Sequence, residues 1–412
     1  MSGAAQNPLL NPISPENLLD PIPFYKELRE NEPVYWSDAV QAWIITRHED
    51  VLNCFRDSRL HSNRTKFYEI QFQHMGALEL VQDIIKTVGN QMVMKDGAQH
   101  LRLRRLVNPG FTPQILDSWR PAIRRVTNEL VDQVRHRGHM DVVESIAYLL
   151  PPLIIAELFG IPTEDRERFQ SWAAPLAQFF SPTAGMDLMT QARLANAALV
   201  EFSKYLRALL AERRLNPGSD VLSMMLQSQE GGGMTEDEVV ANANLMLSAG
   251  HLTTTDQLSN GLHDLLAHPE ELQLLRENPS LVKSAVEEII RYSPALPFIH
   301  RLAAETFQLK GKTIQEGQMV FLGMAAANRD PEVFPDPDRF DIRRDYNHQK
   351  HFSFAFGPHH CMGAGLARRE LEIAIEELIA RLPGLRLDET KPPKRKCSSL
   401  LFRGFESLPV RW

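Results

Sequence analysis

The order of apolar and polar residues predicts a mostly helical chain with small patches of strand. Pro33–Trp36 and Ala42–Thr46 are rich in aromatic and β-branched residues and read as a small hairpin. Residues 113–292 follow a largely helical pattern. Phe307–Leu322 returns to short strands, with turns at Lys310–Gly311 and Glu316–Gly317. Gly363–Leu382 is helical again, and Leu400–Trp412 reads as short strand pieces. The expected class is mainly α with small β regions, an α+β arrangement. The breaks at Asn216–Pro217–Gly218 and Gly231–Gly232–Gly233 are too short to be interdomain linkers. No internal repeat or low-complexity tract is present, so residues 1–412 are expected to form one domain.

One segment stands apart. Thr235 is a good N-cap, and Glu238 three residues on completes a capping box. The pattern then runs without proline to Ala267, which predicts a helix of about 32 residues, roughly 48 Å long. A helix of that length crosses the whole molecule. Its middle reads Ala249–Gly250–His251–Leu252–Thr253–Thr254–Thr255. Gly250 costs a helix about 1 kcal/mol relative to alanine. Threonine hydroxyls bond back to helix carbonyls and bend the axis. Stability alone does not account for such a centre, so something is expected to sit against it.

Composition narrows the class. Of 412 residues, 43% are hydrophobic and 24% charged, which fits a globular chain with a sizeable core. With 45 basic against 52 acidic residues the net charge is −7. No excess of positive charge exists to neutralise phosphates, which argues against a general nucleic-acid binder. The three cysteines, Cys54, Cys361 and Cys397, are widely spaced and make a poor disulfide framework. They imply a reducing, cytoplasmic setting, and the lack of a Cys-x-x-Cys pair removes zinc-ribbon and thioredoxin-like readings. Met1–Pro12 carries no signal-peptide pattern. The apolar run Leu149–Phe159 is interrupted by Pro151, Pro152 and Glu157, so no membrane span is expected.

Chemistry concentrates in Phe354–Ala355–Phe356–Gly357–Pro358–His359–His360–Cys361–Met362–Gly363. Glycines at −4 and +2 from Cys361 let the backbone approach a ligand closely. A helical pattern starts right after it, and a thiol at a helix N-terminus is drawn toward thiolate. Loop N–H groups can aim at the sulfur and tune it, and Phe354 can shield it from water. The alternative is a buried structural cysteine, as Cys54 and Cys397 are read. At position 361 the ordered set of Phe, Gly, His, Cys and Gly argues against that alternative.

The loop resembles the haem-ligand signature of the cytochrome P450 family at Phe354, Gly357, His359, Cys361 and Gly363. It departs at Ala355, where Gly, Ser, Asn or His is more usual, and only a packing change is expected there. His100 with Arg104, Glu288 with Arg291, Pro337–Phe340 and the tail from Arg403 also resemble the family, in the expected order. The resemblance covers nearly the whole chain. It implies the P450 fold with the long helix over haem b, and Cys361 as the iron ligand. It further implies His100, Arg104, Arg301 and His359 as contacts of the anionic propionates, with Phe354 and Gly363 beside the cofactor. Thiolate ligation pushes electron density toward the iron and favours O–O cleavage. Glu288, Arg291 and Arg339 are implied as a structural charge cluster rather than a catalytic one.

One departure matters more. Most family members carry an acid before the threonine of the central helix, and the two groups deliver protons during oxygen activation. Here Thr253 is present but the acid position is Leu252. Asp256 lies at i+3 from Thr253 on the same helix face, so Thr253 and Asp256 are the catalytic candidates. A substrate or water chain as proton source stays open. So does chemistry less dependent on the relay: oxidative coupling, desaturation or a peroxide-driven reaction. The plainer reading of Asp256 is a solvated or locally paired carboxylate.

By the same resemblance, the substrate pocket draws on the loop between Leu60 and Val93, on Phe179–Phe180, on Leu245–Thr253, on Leu296–Ile299 and on Ser399–Leu401. The lining set is Met92, Val93, Phe179, Phe180, Leu245, Ala249, Leu252, Leu296, Phe298, Ile299 and Leu400. So apolar a set suits a medium-sized hydrophobic molecule, such as a polyketide, terpenoid or aromatic natural product, free or tethered to a carrier protein. No reductase module is fused, so electrons are expected from a separate ferredoxin and ferredoxin reductase. Arg102, Arg105, Arg368 and Arg369 are candidate docking residues. A monomeric monooxygenase is the leading expectation. An oxidative-coupling or peroxide-using haem enzyme, and a non-catalytic haem-binding partner or sensor, are the competing ones.

Overall fold

The computed structural model describes residues 10–165, 168, 171, 172, 175, 176, 179, 187–230, 233–345 and 351–412. Val34–Ser37 and Ala42–Ile45 form the expected antiparallel hairpin, with Trp36 opposite Trp43. Ala42–Ile45 also runs parallel to Met319–Gly323. That strand pairs antiparallel with Phe298–Ala303, on which Leu60–His61 closes the sheet. Phe307–Leu309 and Lys312–Ile314 form a second hairpin, turning through Lys310 and Gly311 at φ of 47° and 77°. In the tail, Lys394–Arg395 pairs with Phe405–Ser407, and Arg386–Leu387 with Pro409–Arg411.

The remaining chain is mostly helix, as expected. The stretch from Leu60 to Val93 differs: expected as a loop, it contains the helices Thr65–His74 and Gln82–Gly89. Phe72 is the buried residue of the first, and so little apolar periodicity leaves no clear helical signature.

The chain divides into two compact units. One comprises Met1–His61, Asp256–Cys361 and Gly384–Trp412; the other comprises Ser62–Thr255 and Met362–Pro383. The first carries the sheet. One of its cores gathers Ile45, Val51, Phe55, Val320 and Phe352, and another gathers Phe24, Tyr25, Leu28 and Phe298. In the second unit, Arg120–Val134 buries Ile123, Val126, Leu130 and Val134. Its Arg120 and Arg124 reach Glu372 and Glu376 of the helix Ala364–Arg381, each at 2.8 Å.

The long central helix is Glu236–Ala267, 32 residues without a break. Its capping box is formed: Thr235 N–H donates to Glu238 Oε2 at 2.9 Å, and Glu238 N–H donates to Thr235 Oγ1 at 3.2 Å. The helix passes from the second unit to the first between Thr255 and Asp256. No described helix is long and apolar enough to cross a membrane.

Candidate active site

The cysteine loop turns back on itself. Ala355 N–H donates to the Phe352 carbonyl at 2.7 Å, and Cys361 N–H donates to the Phe354 carbonyl at 2.9 Å. Two left-handed residues make this turn, Ala355 at φ +58° and Gly357 at φ +75°. Gly357 adopts that conformation without a Cβ penalty. Ala355 does not, since a Cβ in the left-handed region costs roughly 1–2 kcal/mol. The expectation of a mere packing change at 355 is therefore corrected: backbone conformation governs which residue fits there. Gly363, at φ −76°, has no such need and serves as the N-cap of Ala364–Arg381.

Cys361 is exposed, three residues ahead of that helix, whereas Cys54 is buried. Burial pushes the Cys54 thiol up to about 12, aided by the nearby Asp57 and Asp50 charges. Cys361 is thus the better placed of the two to act as a thiolate ligand. In the same unit, Arg301 is 5% exposed, its Nη1 donates to the His300 carbonyl at 3.0 Å, and its guanidinium lies 5.8 Å above the Phe55 ring. His359, half-buried, ends the short turn Gly357–His359. Phe354 lies 6.4 Å from the His351 and His360 rings. In the other unit, His100 is buried and Arg104 half-buried, one turn apart on Gly97–Val107. Within the first unit, an accessible cysteine sulfur together with the Arg301 guanidinium and the His359 imidazole is a donor set whose chemistry fits a thiolate-ligated haem with anionic propionates.

Between Leu245 and Thr255 the central helix leaves one stripe open, with Gly250 half-buried beside it. Ala249 is exposed, and Leu245, Ser248, Leu252 and Thr253 are partly so, while Met246, Leu247, His251, Thr254 and Thr255 are buried. The spacing i, i+3, i+4, i+7, i+8 marks a single helical face. Elsewhere on this helix Gly250 faces Ile155, where an added Cβ would come within 3.7 Å, and the His251 ring lies 4.7 Å from that of Tyr148. Thr253 Oγ1 donates to the Ala249 carbonyl at 2.7 Å, and Thr255 Oγ1 to that of His251 at 3.1 Å. This is the back-bonding expected of helical threonines.

Other lining candidates fall within one unit or the other. Met92 is buried and Val93 half-buried. Met92 N–H donates to Asn242 Oδ1 at 2.8 Å, and Asn242 Nδ2 donates to the Asn90 carbonyl at 3.2 Å. Asn242 thereby anchors this segment to the central helix, a role that nothing in the local sequence announces. Phe179 is buried against the rings of Tyr68 and Phe72, at 6.2 and 5.9 Å. Phe180 lies outside the described residues.

Phe298 and Ile299 are neighbours in one strand and so point to opposite faces of the sheet. Ile299 packs with Leu296 on the core around Phe55 and Phe352, while Phe298 belongs to the core of Phe24 and Tyr25, 5.8 Å from the Tyr25 ring. Phe298, expected beside Ile299 on a substrate wall, is a core residue. Leu400, half-buried, packs on that second core.

Asp256 is wholly buried, and Lys396 Nζ donates to its Oδ1 at 2.6 Å. Burial pushes its carboxyl up, while Lys396 opposes the shift. The charge cluster also differs from expectation. Arg291 Nε and Nη2 each donate to Glu288 at 2.9 Å, but the second guanidinium is that of Arg344, its Nε 3.3 Å from the Glu288 carboxylate. Arg339 is exposed and contributes only its carbonyl, which accepts from Arg291 Nη2 at 3.3 Å. Of the four proposed docking arginines, Arg102 pairs with Glu238, and Arg369 with Asp117 at 2.7 Å. Arg105 is exposed and Arg368 half-buried.

Comparison with known proteins identifies the family. The family described as Cytochrome P450 matches residues 66–404. Cytochrome P450 CYP107DY1 of Priestia megaterium is 37% identical over 96% of this chain and 97% of its own length. The biotin biosynthesis cytochrome P450 of Bacillus subtilis is 36% identical over 96% and 97%. The crystal structure of CalO2 superposes with a TM-score of 0.88 at 33% identity, covering 98% of each chain. P450BioI, solved with an acyl carrier protein bearing hexadec-9Z-enoic acid, gives a TM-score of 0.87 at 35% identity, covering 96% of this chain and 99% of its own. The cysteine loop with its family-like residues, and likeness along nearly the full length, lead to one conclusion: this chain belongs to the cytochrome P450 family, whose members are haem b monooxygenases.

Proposed function

We propose that this chain oxidises a medium-sized apolar molecule of natural-product biosynthesis, drawing electrons from a separate ferredoxin and its reductase. It would act as a monomer in the cytoplasm, its 412 residues serving one catalytic function. The carrying observation is the stripe Leu245, Ser248, Ala249, Leu252 and Thr253, open in the middle of the central helix beside the buried Met246, Leu247, His251, Thr254 and Thr255. Apolar side chains with two hydroxyls, those of Ser248 and Thr253, suit a hydrophobic ligand held by shape, with few polar contacts. Relatives point to the same kind of chemistry. Among them are the polyketide biosynthesis cytochrome P450 PksS of Bacillus subtilis, 34% identical, and the 6-deoxyerythronolide B hydroxylase of Saccharopolyspora erythraea, 34% identical. The carrier-protein complex of P450BioI makes a tethered substrate a specific variant of this reading.

Bound haem supplies oxygen activation, and its thiolate ligand favours O–O cleavage. The protein's own groups do the rest. Cys361 would hold the iron. By the family resemblance, Arg301, His359, His100 and Arg104 would neutralise the propionates. Phe354 would keep water from the sulfur. Leu252 adds apolar surface where the family usually has an acid, and Thr253 is the hydroxyl nearest in sequence that can pass a proton.

Leu252 also favours a second reading. An enzyme without an acid at this position is suited to oxidative coupling, desaturation or peroxide-driven oxidation. Turnover with ferredoxin, reductase and NAD(P)H, set against turnover with peroxide alone, separates the two. Ligation is tested by the optical spectrum of the reduced, CO-treated protein. Cys361→Ser should abolish the thiolate-type band, and a wild-type spectrum in that variant would overturn the assignment.

A further inference from the structure

Asp256 is wholly buried on the central helix, and two parts of one loop close on its carboxylate. Lys396 Nζ donates to Oδ1 at 2.6 Å. Gly404 lies against the same oxygen: a Cβ there would come within 2.1 Å of Oδ1 and 2.8 Å of the Asp256 Cβ. Lys396 N–H donates to the Gly404 carbonyl at 3.1 Å, so these residues are the paired ends of the segment 397–403. The next helical turn grips the same segment, since Asn260 Nδ2 donates to the Arg403 carbonyl at 2.9 Å. Arg403 N–H donates to the Ala295 carbonyl at 2.9 Å. Within the loop, Ser399 Oγ accepts from the N–H groups of Leu401 and Phe402, both at 3.0 Å. Leu400 and Leu401 rest on the core of Phe24, Tyr25 and Phe298.

We propose that Asp256 is a positioning residue whose ion pair with Lys396 latches the segment 397–403 to the central helix and so fixes where Leu400 stands. The other carboxylate oxygen, Oδ2, is buried without a hydrogen-bond partner, so the pair with Lys396 is what compensates this charge. Lys396 itself is 25% exposed at its side chain, which makes it the member that solvent can release. The steric demand at Gly404 places the carboxylate; the ammonium holds it. This role takes the place of the catalytic one expected for Asp256. Every contact of the latch lies within one unit, so it stands or falls apart from the function proposed above.

The test uses the haem-loaded enzyme and two readouts that need no substrate. One is hydrogen exchange across 397–403. The other is the rate at which iodoacetamide alkylates Cys397, followed by peptide mass spectrometry. Lys396→Met and Asp256→Asn should each raise both rates about tenfold or more, because the segment then opens locally. Lys396→Arg should stay within about twofold of wild type, since it restores the charge pair. The double variant Asp256→Asn/Lys396→Met, which buries no unpaired charge, should fold and still exchange fast. Wild-type exchange and alkylation in that double variant would overturn the latch. So would an Asp256→Asn enzyme that loses product per electron while its segment 397–403 stays protected, because the carboxylate would then be handling protons.

Discussion

Glu288 and Arg291 meet in a two-point ion pair with both side chains fully buried, Nε to Oε2 and Nη2 to Oε1, each at 2.9 Å. The remaining capacity is used as well. Asp341 N–H donates to Glu288 Oε1 at 2.9 Å, and Arg291 Nη1 donates to the carbonyls of Asn328 and Pro337 at 2.9 and 2.8 Å. Neutralising Glu288 leaves Arg291 uncompensated in the core, and removing Arg291 leaves Glu288 with only the longer contact to Arg344 at 3.3 Å. Arg291→Met and Glu288→Gln should each destabilise the protein by about 3–5 kcal/mol in denaturant titration. Arg291→Lys should not rescue, because a lysine cannot make the two parallel bonds. A loss below about 1 kcal/mol would show that the cluster is dispensable.

At position 355 the backbone sets the limit. Ala355 sits at φ +58° with its methyl in the core. Glycine removes the left-handed penalty of roughly 1–2 kcal/mol but loses a buried methyl, about 0.8 kcal/mol, and adds chain entropy. Ala355→Gly should therefore change stability by about 1 kcal/mol or less. A β-branched side chain has no comfortable place in this region. Ala355→Val should cost about 2 kcal/mol or more and lower haem retention, read from thermal unfolding and the haem-to-protein ratio.

The acid position is open to gain of function. Leu252→Asp puts a carboxylate on the open stripe directly before Thr253. If proton supply limits the reaction, product formed per NAD(P)H consumed should rise severalfold. Unchanged coupling would remove position 252 from that role.

The start of the central helix carries a pH dependence. Glu236 bonds Arg214 at 2.7 Å and Arg207 at 2.6 Å, and Asp237 also bonds Arg207. These arginines, Arg214 first for Glu236, hold the two carboxyls below their ordinary values of 4.5 and 3.8. A depressed folded value means that the stabilisation is present above the unfolded value. It is lost as the pH falls through the folded one. The unfolding midpoint should drop as the pH is lowered below about 4. Arg207→Gln should flatten that drop while costing under about 1 kcal/mol at neutral pH, because these side chains are partly solvated.

Much of this was legible in the chain. The capping box of Thr235 and Glu238, the hairpin around Trp36 and Trp43 and the turn at Lys310–Gly311 depend on neighbours in sequence, and the structure forms all three. What could not be read depends on distant partners. The strand Phe298–Ala303 is defined by residues 319–323 and 60–61, and its alternation decides that Phe298 and Ile299 part company. Lys396 lies 140 residues from Asp256, and Arg344 lies 56 from Glu288. No local pattern distinguishes Arg344 from Arg339 as the arginine that turns inward. Ala355 hid its meaning because a φ value leaves no mark in composition.

The parallel pairing of Ala42–Ile45 with Met319–Leu322 has a consequence for the order of folding. The hairpin can close early, but its inner edge must wait for a strand made some 275 residues later, the separation that also parts Trp43 from its partner Gln318. Such non-local closure is slow, and it leaves an unpaired edge open to other chains in the meantime. On the ribosome, Trp43 would be among the last indoles to reach its native surroundings, and a nascent chain that stops short of residue 319 would lack the strand that pairs this edge.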